Sequence, residues 1–468
     1  MIVCPLDAKR YGLPVIAALV ACFYLPRPAW AQTGRPQAPR QICVDNICAS
    51  VPKEGSGHPQ DPAPVPPAAD PASDRKPSEL ESAVKALGFF GRVERAEFID
   101  TSFARELLSI PGEKGSHVAT ILGTRYKRLD REKYLGVPTA YYESDNHQPL
   151  VLGQTAEGRI VGSGSTAEGP LEIWPDPREG AAAQSGIAMW FHAADIARPK
   201  GIEARGEGQG PKRAPVQSGS VAKECPERIG KSDGTLTLYI AVTRAAKEEA
   251  DAQHVGPEVM IANQLVEFNE AFWCAGANIR VAAPDKADYS DFLESEDQSD
   301  RALIAMVNRL TDSSDPASET FRKRRAAARG DIGVLVIHRK SKDQCGQSSG
   351  VGVDAKHAVL VVNWQCIADQ IPILHEIGHI LGARHAEDDP SFRPSYARAF
   401  MWEDGKSSFE TAVGLRQDAQ GHFVPRRAYF SNPSQKLGDV VIGIPNEADN
   451  AQIVRHAVWG AIRFHELL

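Results

Sequence analysis

The sequence predicts two folded regions of different class: a mostly antiparallel β-rich domain over residues 78–199 and an α/β domain over residues 224–468. In the second region, strand-like and helix-like segments alternate, which is typical of helices packed on a mixed, twisted sheet. In the first region, short alternating segments bounded by Gly or Pro indicate antiparallel strands. With 468 residues, 42% of them hydrophobic, the chain is long enough for two or three domains.

The N-terminus predicts export. Lys9 and Arg10 precede the apolar run "YGLPVIAALVACFYLP", and the small residues Ala29 and Ala31 follow it. A charged start, an apolar centre and a small-residue site form a secretory signal over residues 1–31, which indicates a secreted or periplasmic protein. An alternative is a lipoprotein signal, "LVAC", which would leave a lipid anchor on Cys22. The run is too short for a convincing membrane span.

The net charge of the chain indicates which classes of binding partner to expect. The formal charge of −7 argues against nucleic acid as the main partner, because a phosphate-binding surface is normally basic. Nothing in the sequence indicates an oligomeric state.

Six of the eight cysteines follow the predicted signal, and an even number in an exported chain indicates disulfides. Neighbourhood in the sequence favours Cys43 with Cys48, Cys225 with Cys274, and Cys345 with Cys366, among fifteen combinations. Zinc ligation by cysteine is the alternative, but no Cys-x-x-Cys pair supports it. Cys225, at the boundary of the second region, could instead offer a thiol to a metal and keep the site inactive.

Two weakly hydrophobic segments divide the chain. Residues 32–77 contain the first cysteine pair and a run rich in Pro and Ala that cannot form a core, so they are predicted to be an extended linker. Residues 200–223 are rich in Gly, Pro and charge and predict a second linker, where proteases would have access.

The C-terminal region predicts strands in "TLTLYIAV", "NIRVAA", "IGVLVIH" and "AVLVVNW", and helices in "GPEVMIANQLVEFNEAFWCAG", "DRALIAMVNRLTD" and near the C-terminus. "AVLVVNW", residues 358–364, precedes the helix that carries the histidine motif. It is either an exposed sheet edge, to which an extended peptide could add as a strand, or a buried core strand.

The segment "ILHEIGHILGARHAEDD" carries the strongest chemical signal. Residues four apart lie on one face of a helix, so His375 and His379 point the same way and can hold one metal ion. Gly382 can end the helix in a left-handed conformation, so that the chain turns back and His385 supplies a third ligand. Three imidazoles and one open position are the arrangement of a catalytic zinc site.

Glu376 follows the first of these ligands and can reach a water molecule at the metal without displacing a ligand. It is therefore the predicted general base for attack of water on a carbonyl group. The alternative interpretation is two ordinary histidines on a buried helix, since a bare His-Glu-x-x-His string also occurs by accident. The glycine and the third histidine at the required offsets favour the metal site.

These residues, His-Glu-x-x-His-x-x-Gly-x-x-His from His375 to His385, resemble the zinc signature of the metzincin metalloendopeptidases. "GHILGARH", "SYARAF", "RAYFSNPS" and "GIPNEADNAQIVRH" resemble segments of the reprolysin-like bacterial type, including the peptidyl-Asp metalloendopeptidases. The resemblance covers about residues 220–468. It implies a metzincin-like catalytic domain with an active-site helix, zinc as the metal, a peptide or protein substrate, and synthesis as a precursor with residues 78–199 as a propeptide domain.

The sequence departs from this family at two positions. Val413 in Thr411-Ala412-Val413 stands where the family carries a methionine in the turn beneath the zinc, and Met401 falls too early. Ala386 replaces an aspartate that often follows the third histidine. These departures motivate an alternative function, a degenerate metzincin that keeps zinc and acts as a binding protein at the cell surface. Tyr429 either lends a hydroxyl near the zinc or packs in the wall of the site.

Overall fold

The structure is a computed structural model, and it describes part of the chain. The described residues are 41–44, 47–50, 77–87, 93–109, 118–145, 148–166, 169–178, 181–182, 184–191, 222–225, 231–253, 255–284, 286–290, 292, 294, 301–339, 345–367, 371–386, 388, 391, 393–403, 408–415, 424 and 426–468. The predicted signal, residues 1–31, lies outside them, as do most of the two predicted linkers. No helix among the described residues is long and apolar enough to cross a membrane.

The chain divides into two compact units, one of residues 1–44 and 48–58 and one of residues 45–47 and 59–468. Near the start, β1 (Gln41–Val44) and β2 (Ile47–Ser50) form a two-stranded sheet. The predicted pairing of Cys43 with Cys48 concerns side chains outside the described part. Both larger sheets belong to the second unit.

The region from residue 77 to residue 191 is built on an eight-stranded sheet. Its order is β3-β10-β9-β8-β7-β6-β5-β4, and each of these strand pairs is antiparallel, as predicted. The elements are α1 (Pro77–Ala86), β3 (Val93–Asp100), α2 (Ser102–Ser109), β4 (Val118–Ile121), β5 (Thr124–Tyr134), β6 (Val137–Ser144), β7 (Pro149–Gln154), β8 (Ile160–Thr166), β9 (Gly169–Pro175) and β10 (Ser185–Phe191). We call these residues, 77–191, the N-terminal sheet region.

Both faces of this sheet are covered, because side chains alternate between the faces of a strand. Tyr141 and Val151, which pair across β6 and β7, belong to a hydrophobic cluster that extends into the second half of the chain. The adjacent pair Tyr142 and Leu150 lies in a separate cluster that α2 closes. One face of the sheet therefore packs within the region, and the other packs against the rest of the protein.

The second half contains a mixed sheet in the order β12-β11-β14-β16-β15, with β13 also paired to β11. All its pairs are parallel except that of β15 with β16. The elements are β11 (Gly234–Thr243), α3 (Arg244–Ala252), α4 (Pro257–Cys274), β12 (Ile279–Ala282), β13 (Asp288–Ser290), α5 (Ala302–Thr311), α6 (Pro316–Ala327), β14 (Ile332–Ile337), β15 (Gly346–Ser348) and β16 (Val359–Asn363). This confirms the predicted α/β class with a mixed sheet.

The exposed-edge interpretation of residues 358–364 is wrong. β16 lies between β14 and β15, and all five of its residues are buried. The strand at this end of the sheet is β15, whose three residues "GQS" have no hydrophobic alternation that would mark a strand. The buried interpretation of residues 358–364 is the correct one.

After a short 3₁₀ turn (Trp364–Cys366), the chain forms a helix and several short strands. These are α7 (Pro372–Ile380), β17 (Met401–Glu403), β18 (Ser408–Thr411), β19 (Arg426–Arg427), β20 (Lys436–Leu437), β21 (Val440–Val441), α8 (Asn450–Ala461) and a final 3₁₀ turn (Phe464–Leu467). Disulfides join Cys225 to Cys274 and Cys345 to Cys366, as predicted. Cys225 therefore offers no free thiol to a metal.

Candidate metal centre

Helix α7 carries the first two histidines and ends at a glycine. Pro372 occupies its first turn, where a missing N–H costs nothing, and all nine of its residues are buried. The helix ends as Gly382 takes a φ of +98°, a left-handed conformation that favours glycine. The N–H of Gly382 donates to the His379 carbonyl (2.8 Å), and that of Ala383 donates to the Gly378 carbonyl (2.8 Å). The chain then turns back towards its own last helical turn.

This turn brings the three predicted histidines together. Their Nε2 atoms form a triangle with sides of 3.1 Å (His375 to His379), 3.0 Å (His379 to His385) and 3.3 Å (His375 to His385). Nitrogen ligands at roughly 2.0–2.1 Å from one tetrahedral zinc ion are about 3.3 Å apart. The triangle therefore has the size that a single ion requires.

The other ring nitrogens set the tautomers. Nδ1 of His375 donates to the carbonyl of Ala412, and Nδ1 of His379 donates to that of Ala383, both at 2.9 Å. A proton on Nδ1 leaves an unprotonated Nε2, which is the form that binds metal. Nδ1 of His385 lies 3.5 Å from Oδ1 of Asp388.

Burial keeps the rings of His375 and His379 neutral. Only 1% of His375 and 4% of His379 are exposed. Loss of solvation lowers the pKa of His379 to about 3 and lowers that of His375 well below its usual value, with smaller effects from neighbouring positive charge. The neutral imidazoles of His375 and His379 thus direct lone pairs at the point that Nε2 of His385 also faces. Without a cation these lone pairs would repel one another, so the residues present fit a divalent metal ion.

Asp388 supplies the carboxylate next to His385 that Ala386 cannot supply. The family's aspartate directly after the third histidine is missing, but Asp388, two residues later, turns its carboxylate back to His385. Its Oδ2 accepts the backbone N–H of His385 at 3.1 Å, and its Oδ1 faces the ring. Sequence reasoning missed this residue, although the acidic run after His385 was a visible signal.

Glu376 lies on α7 directly after the first histidine, and 1% of it is exposed. Gly346, the first residue of β15, faces it: a Cβ at that position would lie 2.9 Å from Oε1 and 3.0 Å from Cγ of Glu376. A side chain on residue 346 would displace the carboxylate, so glycine there provides the room that Glu376 occupies. The sequence pattern gave no sign of this contact.

The turn after β18 forms the floor of the centre. Ala412 supplies the carbonyl that holds His375, and Val413 is fully buried beneath α7. A Cβ on Gly378, between the two helical histidines, would lie 2.6 Å from Cγ2 of Val413. Val413 therefore packs under the helix at the place expected for the methionine, whereas Met401 lies in β17.

A buried ion pair fixes this turn. Nε of Arg426 donates to the Gly414 carbonyl (2.8 Å) and lies 3.5 Å from Oε1 of Glu410. The two side chains are 7% and 2% exposed. A Cβ on Gly414 would collide with the Glu410 carboxylate. The turn is thus tied to both flanking strands, β18 and β19.

Tyr429 follows the second of its two predicted roles. It is buried among Cys274, Phe409 and Ile442, and its hydroxyl bonds to Tyr141 of β6. Burial raises the pKa of its hydroxyl well above its usual value. It packs as part of the wall.

Comparison with known proteins agrees with the predicted resemblance. Residues 235–422 match Reprolysin_5, described as metallo-peptidase family M12. The chain is 32% identical over 235 residues to a peptidyl-Asp metalloendopeptidase of Stenotrophomonas maltophilia strain R551-3, covering 49% of this chain and 54% of that protein. It is 29% identical over 227 residues to the protein of the same name from strain K279a, covering 47% and 50%.

The chain thus spans about half the length of these curated relatives. The crystal structure of metalloproteinase-II from Bacteroides fragilis is similar at a TM-score of 0.34 and 14% identity, covering 56% of this chain and 77% of that one. The family match and the two relatives confirm the resemblance: residues 235–422 are similar to the reprolysin-type metallo-peptidases, and the chain is similar to two bacterial peptidyl-Asp metalloendopeptidases.

Proposed function

We propose that the chain is an exported zinc-dependent endopeptidase, made as a precursor, that hydrolyses peptide bonds in proteins. The observation that carries the proposal is the triangle of three imidazole Nε2 atoms on a buried helix and the turn after it. The match of residues 235–422 to a metallo-peptidase family supports the same reaction class. His375, His379 and His385 would hold the zinc ion.

The mechanism assigns one task to each group of this chain. When bound, zinc supplies Lewis acidity towards a peptide carbonyl and makes a water molecule more acidic. Glu376 accepts the proton of the attacking water and delivers it to the leaving nitrogen. Its burial against Gly346 restricts the carboxylate on the helix that carries two of the histidines. The carbonyls of Ala412 and Ala383 hold the two helical imidazoles in the metal-binding tautomer.

We further propose a preference for cleavage beside aspartate, because the two curated relatives bear the name peptidyl-Asp metalloendopeptidase. Residues 1–31 would be the export signal and residues 78–199 the propeptide domain. The sequence features described above support these two assignments.

Purified chain, cut within residues 200–223 and incubated with an unfolded protein substrate with and without a chelator, separates an enzyme from a zinc-containing binding protein. We expect hydrolysis that the chelator abolishes and zinc restores. Glu376→Ala should abolish hydrolysis while one zinc per chain stays bound, and His379→Ala should lose both. A chain that holds stoichiometric zinc and shows no hydrolysis after cleavage within residues 200–223 would instead favour the binding protein.

A further inference from the structure

Helix α4 is buried on every side. Fifteen of its eighteen residues are buried, and the remaining three, Glu258, Glu270 and Trp273, are only partly exposed. A helix at the surface of a domain shows one apolar stripe, whereas a helix that is buried all round lies between two layers. The two layers that cover α4 are the N-terminal sheet region and the mixed sheet of the second half of the chain.

The N-terminal sheet region approaches α4 through a glycine. A Cβ on Gly153 of β7 would lie 2.4 Å from Oδ1 of Asn263 and 2.7 Å from Cγ2 of Val259. Nδ2 of Asn263 donates to the carbonyl of Val161 in β8 at 3.3 Å. The helix and the sheet therefore fit closely, with a polar contact inside an apolar surface.

Helix α4 also makes close contacts with the mixed sheet of the second half. Asn269 exchanges two hydrogen bonds with the backbone of Val281 in β12, at 2.8 Å and 3.0 Å. The same amide donates to the hydroxyl of Tyr134 in β5 at 2.7 Å. One side chain thus joins both sheets to the helix.

Two more contacts cross the boundary directly. The rings of Trp174 in β9 and Trp364, just before α7, are 6.5 Å apart. Tyr141 of β6 bonds to Tyr429 in the wall of the metal centre. As a result, side chains of both regions form one hydrophobic cluster with α4 at its middle.

We propose that the N-terminal sheet region is a lasting partner of α4: after the chain is cut between the two regions, they stay together as a noncovalent complex. The proposal rests on the precursor part of the proposed function. Release would expose the apolar side of α4 to water and leave the buried amide of Asn263 without its carbonyl, both of which are unfavourable. Dissociation of the cut chain is therefore unfavourable.

The test uses the full chain carrying Glu376→Ala, so that it cannot digest itself, with a recognition sequence for a site-specific protease inserted within residues 200–223. After complete cleavage, we expect the two fragments to elute together from a size-exclusion column in native buffer and to separate in urea. Separate elution of two folded fragments would overturn the proposal. Precipitation of the C-terminal fragment while the N-terminal fragment stays alone in solution would overturn it too, because the association is then lost.

Matched glycine variants test the surface itself. Gly153→Ala places a methyl group against Val259 and Asn263 and should raise the dissociation constant of the cut complex about tenfold or more. Gly460→Ala on α8 is the control, because its Cβ meets nothing within 4 Å. Should the Gly153→Ala chain fail to fold, Asn263→Ala, which removes the amide without a clash, replaces it. Equal association of the interface variant and the control contradicts the proposal.

The outcome is independent of peptidase activity. Association is measured on an inactive chain, whereas hydrolysis is measured on the wild-type chain with and without a chelator. If association is lost and hydrolysis is retained, only the proposal of a lasting complex is wrong. If association is retained and hydrolysis is absent, only the proposal of peptidase activity is wrong.

Discussion

Val413 packs directly against Gly378, so that a Cβ on Gly378 would lie 2.6 Å from Cγ2 of Val413. Gly378 lies between His375 and His379 on α7, and Val413 follows the residue whose carbonyl holds His375. The helix that carries two of the three histidines and the turn that orients His375 therefore meet at a single close contact. Shape at this point sets the position of the imidazoles.

Gly378→Ala tests that contact. Alanine is a better helix former than glycine by about 1 kcal/mol, but an overpacked core costs about 1–3 kcal/mol, so the clash with Val413 should win. We expect lower stability and weaker zinc binding, measured by urea unfolding and by competition with a chromophoric chelator. Gly460→Ala, where the added methyl group meets no atom, should be neutral or slightly stabilising. Unchanged zinc affinity in Gly378→Ala would show that the turn does not set the ligand geometry.

Glu410→Gln tests the ion pair beneath the centre. The Glu410 and Arg426 side chains are almost fully buried, and removal of one charge from a buried pair typically costs about 3–5 kcal/mol. Because Arg426 also holds the Gly414 carbonyl, the turn that carries Ala412 should loosen. We expect a lower urea midpoint and weaker zinc binding.

The matched control is the exposed pair of Lys247 and Asp251 on α3, where Asp251→Asn should change stability by less than about 1 kcal/mol and leave zinc binding unchanged. A Glu410→Gln chain that loses stability but keeps its zinc affinity would mean that the pair supports the fold without positioning His375.

The sequence predicted the cluster of three histidines because their spacing follows from helix geometry. Residues four apart share a face, and a glycine that ends the helix returns the chain to it, so His375, His379 and His385 could be placed together from the pattern alone. The alternation of strands and helices in the second half likewise predicted the mixed sheet. Both predictions depend on the spacing of residues that are close together in the sequence, and such spacing can be read from the sequence directly.

What the sequence could not predict depends on contacts between distant segments. Gly346 lies thirty residues before Glu376, and the ion pair of Glu410 with Arg426 joins two very short strands that no periodicity marks. Two polar helices, α3 ("RAAKEEADA") and α6 ("PASETFRKRRAA"), also have few apolar residues and were not predicted. The Asp315 cap and the proline that begin α6 were a usable signal.

Asp388→Ala tests the carboxylate behind the third histidine. Asp388 accepts the backbone N–H of His385 and faces its ring, and loss of such a partner typically weakens metal binding by about 10–100-fold. We expect a drop of that size in zinc affinity with little change in the urea midpoint of the metal-free chain. Asp354→Ala is the control, because Asp354 holds the half-exposed His357 in the same manner, away from the three clustered histidines. Similar zinc affinities in both variants would contradict a role for Asp388.

Glu267→Gln tests a buried carboxylic acid on α4. Burial raises the pKa of Glu267 to about 8 from its ordinary 4.5, and the positive charge of Arg427 offsets this only in part. The raised pKa means that the folded chain keeps a proton that the unfolded chain loses, so stability falls as pH rises from about 4.5 to about 8. Glutamine does not ionise and removes this loss.

We therefore expect the variant and the wild-type chain to be similar in stability near pH 4.5 and to diverge with rising pH. At pH 8 the advantage of the variant should approach a limit on the order of 4 kcal/mol, measured by urea unfolding at each pH. Glu248→Gln, at an exposed position of α3, should change stability little at any pH. A pH-independent difference between Glu267→Gln and wild type would mean that Glu267 is already ionised in the folded chain, because only a proton retained on folding makes the difference grow.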